Sequence, residues 1–317
     1  MGTLVRMLPA AFVVATFGHV ASAQPAGWTH RGGVQVLEKS GTTLTDHQVL
    51  VTIDTETLIA NGQMNVDGSD LRFYSDCAYT TSLPYWIESG LGTAATKVWV
   101  RVPSLPANAT TQVSFAHGNA AAISESALAS VFDGVGGVPG TAISATHQVT
   151  GTNSTALGNS QRGFRFEANT DLLVVQVGKY EPNGSTRYIT IFDFETEAKL
   201  LQTQVSGPAA QYTYGDLAQP LWLAKGHQYL LEMYQGASES YFWVANPQVD
   251  PAITFLDMRF CNDCSPDTFP RQSLGGSHFG YPDLMFFTRK EASVPPEQTS
   301  VSCEATATCN SDCSVAT

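Results

Sequence analysis

Hydrophobic and polar positions alternate with a period of two along much of this chain. In His47 to Ile53 the residues Val49, Val51 and Ile53 fall on one face. In Lys97 to Val102, Val98, Val100 and Val102 face one way and Trp99 and Arg101 the other. Shorter apolar stretches at 28–36, 64–73, 83–88 and 112–117 read as further strands, with turn dipeptides at Asn61-Gly62 and Asp67-Gly68. From Gly163 to Tyr241 the same signal is denser: segments rich in Val, Ile, Phe and Tyr follow one another, and Gly, Pro, Asn or Asp stands at each crossing, as in Glu181-Pro182-Asn183-Gly184 and Gly207-Pro208. Such connections suit tight turns and not crossover helices. The prediction is an all-β protein with two antiparallel β-sandwich (jelly-roll-like) domains in tandem, at 24–134 and 161–290. A linker poor in large apolar residues, with at most one weak strand, is expected at 135–160 and a mobile tail at 291–317, with a single short helical segment near 120–132.

The start of the chain changes the picture. Arg6 precedes an apolar run from Met7 to Val20, and Ala21-Ser22-Ala23 follows it, the pattern of a cleaved signal peptide over residues 1–23. The run is shorter than the roughly 20 residues needed to cross a bilayer, and no later segment is as long and apolar as a membrane helix. The expectation is a secreted or cell-surface protein with no membrane insertion once the leader is removed. The formal net charge of −12 argues against nucleic acid or an anionic membrane as partner, since both require basic patches.

An exported chain is expected to use its six cysteines for disulfides. Cys261-Asn262-Asp263-Cys264 has the Cys-x-x-Cys spacing of redox and zinc motifs, yet no second copy and no βαβ setting accompanies it, so a local bridge closing the turn is favoured over metal or redox use. Cys303, Cys309 and Cys313 are expected to pair among themselves, which leaves Cys77 without an obvious partner. Asn65, Asp67 and Asp70 crowd an acidic turn that could offer oxygens to Ca²⁺, although no glutamate closes an EF-hand loop. The plainer reading has Asp67-Gly68 make the turn and Asp70 cap neighbouring amides. No cofactor other than Ca²⁺ is suggested.

Motifs for a nucleophile elbow, a zinc protease or a phosphate loop are missing from the sequence, so no catalytic residue is assigned. Carboxylates such as Glu167, Glu181, Asp193, Glu195 and Glu232 could pair across a sheet face as in a glycosidase, although their spacing in the chain does not give their separation in space. Aromatic residues are more suggestive. Tyr85, Trp86, Trp222, Tyr241 and Trp243 alternate with polar residues, so some rings could face outward and stack on sugar rings. Core and rim packing is the competing explanation for each of them.

The series LTDHQVLVTI at 44–53, DGSDLRF at 67–73, LPYWIE at 83–88, VWVRVPSLP at 98–106 and HGN at 117–119 resembles a bacterial family of exported domains of unknown function, found beside concanavalin-like lectin modules. The resemblance spans about residues 28–132, with DGSDLRF as its strongest signature. It implies a β-sandwich and supplies no catalytic residues. His117 departs from it, since an aromatic such as Tyr is expected there. Residues 161–289 are only loosely similar to other secreted sandwich modules. The functional expectation is a non-catalytic surface or extracellular binding protein with polysaccharide, or a surface protein, as partner. The alternatives are a glycan hydrolase and a structural subunit of a surface layer or filament.

Overall fold

The structure is a computed structural model, and it describes residues 26–146, 151–156 and 158–302. The signal-peptide segment and the three cysteines of the tail lie outside the described residues. The protein is built almost entirely of antiparallel strands, and its residues gather around two separate cores.

The first core lies between two sheets. One has the order Glu297–Ser302, His30–Leu37, Thr110–His117, Arg72–Tyr74, Ser82–Leu83. The other has the order Leu44–Ile53, Thr96–Leu105, Tyr85–Ser89. The period-two pattern sets the inner face: Val49 stands opposite Val100 and Val51 opposite Val98, and these pack on Val34, Val36, Phe73, Val113 and Phe115 from the facing sheet. Each fully buried aliphatic side chain of this kind contributes about 1.5–3 kcal/mol. The turn before the Arg72–Tyr74 strand needs Gly68, whose φ of +64° suits glycine best.

The second core lies between a six-stranded sheet and a four-stranded sheet. The six-stranded order is Lys199–Val205, Arg187–Asp193, Gln228–Gln235, Ser160–Ala168, Ile253–Asn262, Gln272–Leu274. The four-stranded order is Thr213–Leu223, Leu172–Lys179, Pro282–Thr288, Ile143–Ser144. Phe164, Phe166, Ile189, Ile191, Leu231, Leu284 and Phe286 fill it. A small sheet of Ser277–Phe279, Ser240–Ala245 and Thr152–Thr155 joins this module at one end.

Four features differ from the sequence expectation. The segment expected as a linker contributes the short strands Ile143–Ser144 and Thr152–Thr155 to second-module sheets. Residues 291–302 of the segment expected as a mobile tail turn back across the molecule, and Glu297–Ser302 pairs with the exposed edge of His30–Leu37. An edge strand offers a row of free backbone groups, so even a polar segment can add to it. A helix at Thr55–Ala60, capped by the Asp54 carboxylate accepting from the Thr57 amide, is too short to show a helical period. The helix expected over 120–132 forms only at Leu128–Val131.

A third cluster joins the modules. Trp99 and Trp86 from the first meet Leu173, Phe287 and Trp222 from the second, with Val131 and Phe132 between them. The strand face carrying Trp99 and Arg101, which alternation assigns away from the first core, is therefore a docking face. Arg101 donates to the Asp133 carboxylate at 2.7 Å and to the Val131 carbonyl at 2.9 Å, and Gln48 donates to the same carbonyl at 3.1 Å.

Candidate functional site

Beside this junction opens a cleft of about 690 Å³. Its first wall is the outer face of Leu44–Ile53, which presents Gln48 and Leu50, with the buried His47 beside them and Trp99 of the neighbouring strand at the base. Alternation explains the wall: Val49 and Val51 point into the core, so Gln48 and Leu50 must point out. The second wall comes from two loops of the second module, through Asp171 and Lys225. Residues 289–298 leave the last strand of that module and cross the opening, carrying Arg289, Lys290, Glu291 and the Pro295-Pro296 pair before the chain joins the first sheet.

The geometry is polar around a flat ring. The Arg289 guanidinium lies 5.7 Å from the Trp99 ring centre, and its Nε donates to Asp171 at 2.8 Å. Lys225 pairs with Glu291 at 2.5 Å, and Lys39 pairs with Glu297. The backbone amide of Lys290 donates to the Gln48 side-chain oxygen at 2.9 Å, and its ammonium to the Thr45 carbonyl at 3.0 Å. Gln298 reaches the edge of Leu44–Ile53 with both ends of its amide, accepting from the Thr52 N–H at 2.6 Å and donating to the Thr52 carbonyl at 3.0 Å. The crossing segment is thus laced to the first module at several points. Burial, then the charges of Arg289 and Lys290, hold the His47 imidazole below its ordinary pKa, which keeps it neutral. The Asp171 carboxyl is held low by the Lys225 amide and by Arg289, which together outweigh its burial.

The residues singled out from sequence do not assemble here. Tyr85 is inside the first core, its hydroxyl donating to the Leu71 carbonyl at 2.6 Å. Trp86 is half-buried against Phe132 in the junction. Trp222 packs between Trp99 and Phe132 and donates its indole N–H to Glu88 at 2.7 Å, while Trp99 donates to the other oxygen of the same carboxylate at 3.2 Å. Tyr241 and Trp243 lie apart from these on the small end sheet. Tyr241 is buried beneath Arg162, and Trp243 is half-buried and stacked on Phe279 at 5.6 Å. The cleft residues Gln48, Trp99, Asp171, Lys225 and Arg289 come from five separate parts of the chain. The one sequence signal among them is the outward phase of Gln48 and Trp99.

Asn65, Asp67 and Asp70 are neighbours, but their donor set does not fit a calcium ion. Both Asp70 oxygens face N–H groups, from Asn65 at 3.0 Å and Gly118 at 2.6 Å, and Asp67 accepts from the Ser69 amide at 3.0 Å. An N–H dipole presents positive charge to whatever lies in front of it, so oxygens already aimed at amides are poorly placed for a cation. No group of three or more His, Cys, Asp or Glu that could hold a metal is found among the described residues.

The DGSDLRF stretch is a structural tie. The Asp70 carbonyl accepts from the Trp28 indole, and the buried Arg72 donates to the carbonyls of Ser69, Leu71 and Ile123. His117 fills a flat, buried position, stacked on His30 at 5.3 Å and on Phe115 at 5.9 Å, and burial lowers its pKa.

Cys261 and Cys264 are disulfide-bonded, closing the turn after the Ile253–Asn262 strand. Cys77 is disulfide-bonded as well. The loop after Cys264 folds over the outer face of the six-stranded sheet. The Pro266 carbonyl accepts from Gln202 at 2.8 Å, and the Ser265 carbonyl accepts from Gln161 at 2.9 Å. In the cross-strand row under that roof, between Thr190 and Gly163, stands Glu232. It is completely buried, neither carboxylate oxygen has a hydrogen-bond partner, and burial pushes its pKa well up. Among the other four carboxylates weighed for a glycosidase pair, Glu181 forms ion pairs with Lys179 and Arg187. Asp193 accepts from Thr196, and Glu167 accepts from Gln228.

Compared with known proteins, residues 67–149 match a family described as a domain of unknown function (DUF2341). The match begins at the Asp67-Gly68 turn and runs through Trp86, Trp99 and Asp133. No curated protein matches the chain.

Proposed function

We propose that this is an exported, non-catalytic binding protein that holds a polysaccharide segment in the cleft between its two β-sandwich modules, at the cell surface or outside the cell. The observation that carries the reading is the cleft of about 690 Å³ itself, in which exposed Leu50 and Val294 stand beside Arg289, Gln48 and Asp171, over a buried Trp99. A sugar ring has an apolar C–H face and a polar rim, and exposed apolar side chains with planar hydrogen-bonding groups around them complement both. The leader pattern at residues 1–23 supports export, and the expected company of lectin-like modules is consistent with a glycan ligand. A hydrolase would need two carboxylates about 5–9 Å apart and free to act on one bond. In this cleft Asp171, Glu291 and Glu297 are each held by a cation, which favours binding over catalysis.

A glycan array probed with the mature protein, with and without chelator, tests the proposal. Binding to one or more polysaccharides is expected, unchanged by chelator, and lost in Arg289→Ala but retained in Trp243→Ala, with circular dichroism confirming that both variants fold. Loss in Trp243→Ala alone would move the site to the end sheet, and release of shortened glycan by the parent protein would overturn the non-catalytic assignment.

A further inference from the structure

The charge of the cleft is the reverse of the charge of the chain. The cleft draws on four of the sixteen Lys and Arg residues but on only three of the twenty-eight Asp and Glu residues. The walls carry Lys39 and Lys225 against Asp171, and the segment that crosses the opening carries Arg289 and Lys290 together with the other two acids, Glu291 and Glu297. These two glutamates sit on Lys225 and Lys39, one from each module. All four side chains remain about half exposed, from 41 to 55 %. Exposed pairs of this kind contribute little, so they open readily in exchange for another anion. Lys290 meets only a carbonyl through its ammonium group, which leaves its charge uncompensated by a hydrogen-bonded carboxylate. Arg289 and Lys290 add to the burial that lowers the pKa of the neighbouring His47.

We infer that the polysaccharide taken by this cleft is a carboxylated one, a polymer of uronic acid residues, and that the two glutamates of the crossing segment are an internal stand-in for its carboxylates. Glu291 and Glu297 hold Lys225 and Lys39 until the ligand's carboxylates replace them. The inference rests on the cleft reading above and adds the charge of the ligand and the competition by the chain's own segment. A uronate chain presents carboxylates at repeating intervals along a backbone of sugar faces. It can therefore place one carboxylate at Lys225, another at Lys39 or Lys290, and a ring against the exposed Leu50 and Val294. The excess of one cation over the acids of this cleft, in an otherwise acidic protein, also directs a polyanion to this opening in preference to the rest of the surface.

The test is isothermal titration of the full mature chain with alginate, with neutral dextran of similar length and with poly-glutamate, for the parent and for the double variant Glu291→Gln, Glu297→Gln. Alginate is expected to bind the parent, more weakly as salt rises. It should bind the double variant about three- to tenfold more tightly, the change expected for releasing two exposed ion pairs. Dextran affinity should change by no more than about twofold between the two proteins. Dextran binding with alginate no tighter, or alginate binding that does not respond to salt, would overturn the inference and leave the cleft reading standing. Alginate binding that is salt-dependent but equal in parent and double variant would remove the competing role of the segment. Poly-glutamate binding as tightly as alginate would transfer the site to acidic peptides, and loss of all glycan binding in Trp243→Ala would defeat the cleft reading itself.

Discussion

Replacing Trp222 with alanine should uncouple the two modules. The Trp222 ring stands 5.8 Å from Trp99 and 5.4 Å from Phe132, so it is the second module's principal contact with the first module's outer face. Aromatic pairs of this geometry contribute about 0.5–1.5 kcal/mol each beyond the area they bury. The indole also supplies one of the two N–H donors on Glu88, and removing a partner from a carboxylate costs about 1–3 kcal/mol. Truncating a buried tryptophan costs about 3–5 kcal/mol, and because Trp222 is half-buried the low end, about 3 kcal/mol, is expected. The loss falls on the junction and leaves both cores intact, since the two hydrophobic clusters share no residue. Differential scanning calorimetry should accordingly show a coupled unfolding event in the parent separate into two in Trp222→Ala. Trp222→Phe keeps ring packing and loses only the donor, and should retain coupling at a cost of about 1–2 kcal/mol. A Trp222→Ala protein that unfolds as the parent does, within about 0.5 kcal/mol, would refute the docking role of this ring.

Glu232→Gln is expected to change the pH dependence of stability. Burial raises the pKa of this carboxyl in the folded protein above its ordinary value of 4.5, so the folded state favours the protonated form. The stability linked to that proton is fully present below about pH 4.5 and is lost as pH rises towards the raised value. Urea unfolding across a pH series should find the parent falling behind the Gln variant as pH increases from that point, and parallel curves would count against the buried neutral acid. Replacing Cys261 and Cys264 with Ser should leave the first module unaffected and raise hydrogen exchange over residues 263–281, at a cost of about 2 kcal/mol or less because the closed loop is short. Excess chelator should leave thermal unfolding unchanged, because the Asp70 oxygens are held by the amides of Asn65 and Gly118; a clear drop in midpoint would restore the calcium reading of that turn.

Alternation was enough to define strands and their inner faces. Val49, Val51, Val98 and Val100 line the first core because a two-residue period in a strand admits no other arrangement of their side chains. The Cys261–Cys264 bridge was legible for a similar reason, since a turn brings residues three apart together whatever surrounds them. What alternation does not carry is the identity of the surface that meets the opposite face. Trp86, Trp99 and Trp222 have the pattern of outward-facing rings, and they do face out of their own sheets, but into the neighbouring module. Glu232 likewise occupies an outer position of its strand and is buried only because the loop beyond Cys264 folds over it. Residues 291–302 lack large apolar side chains apart from Val294 and Val301, and so resemble a tail. Their order comes from the unpaired edge of His30–Leu37 and from the Gln298 amide on Thr52. Backbone edges, roofing loops and docking faces are contacts between distant parts of the chain, and no local period records them. The cleft is made of such contacts, so its residues came into view only in the tertiary structure.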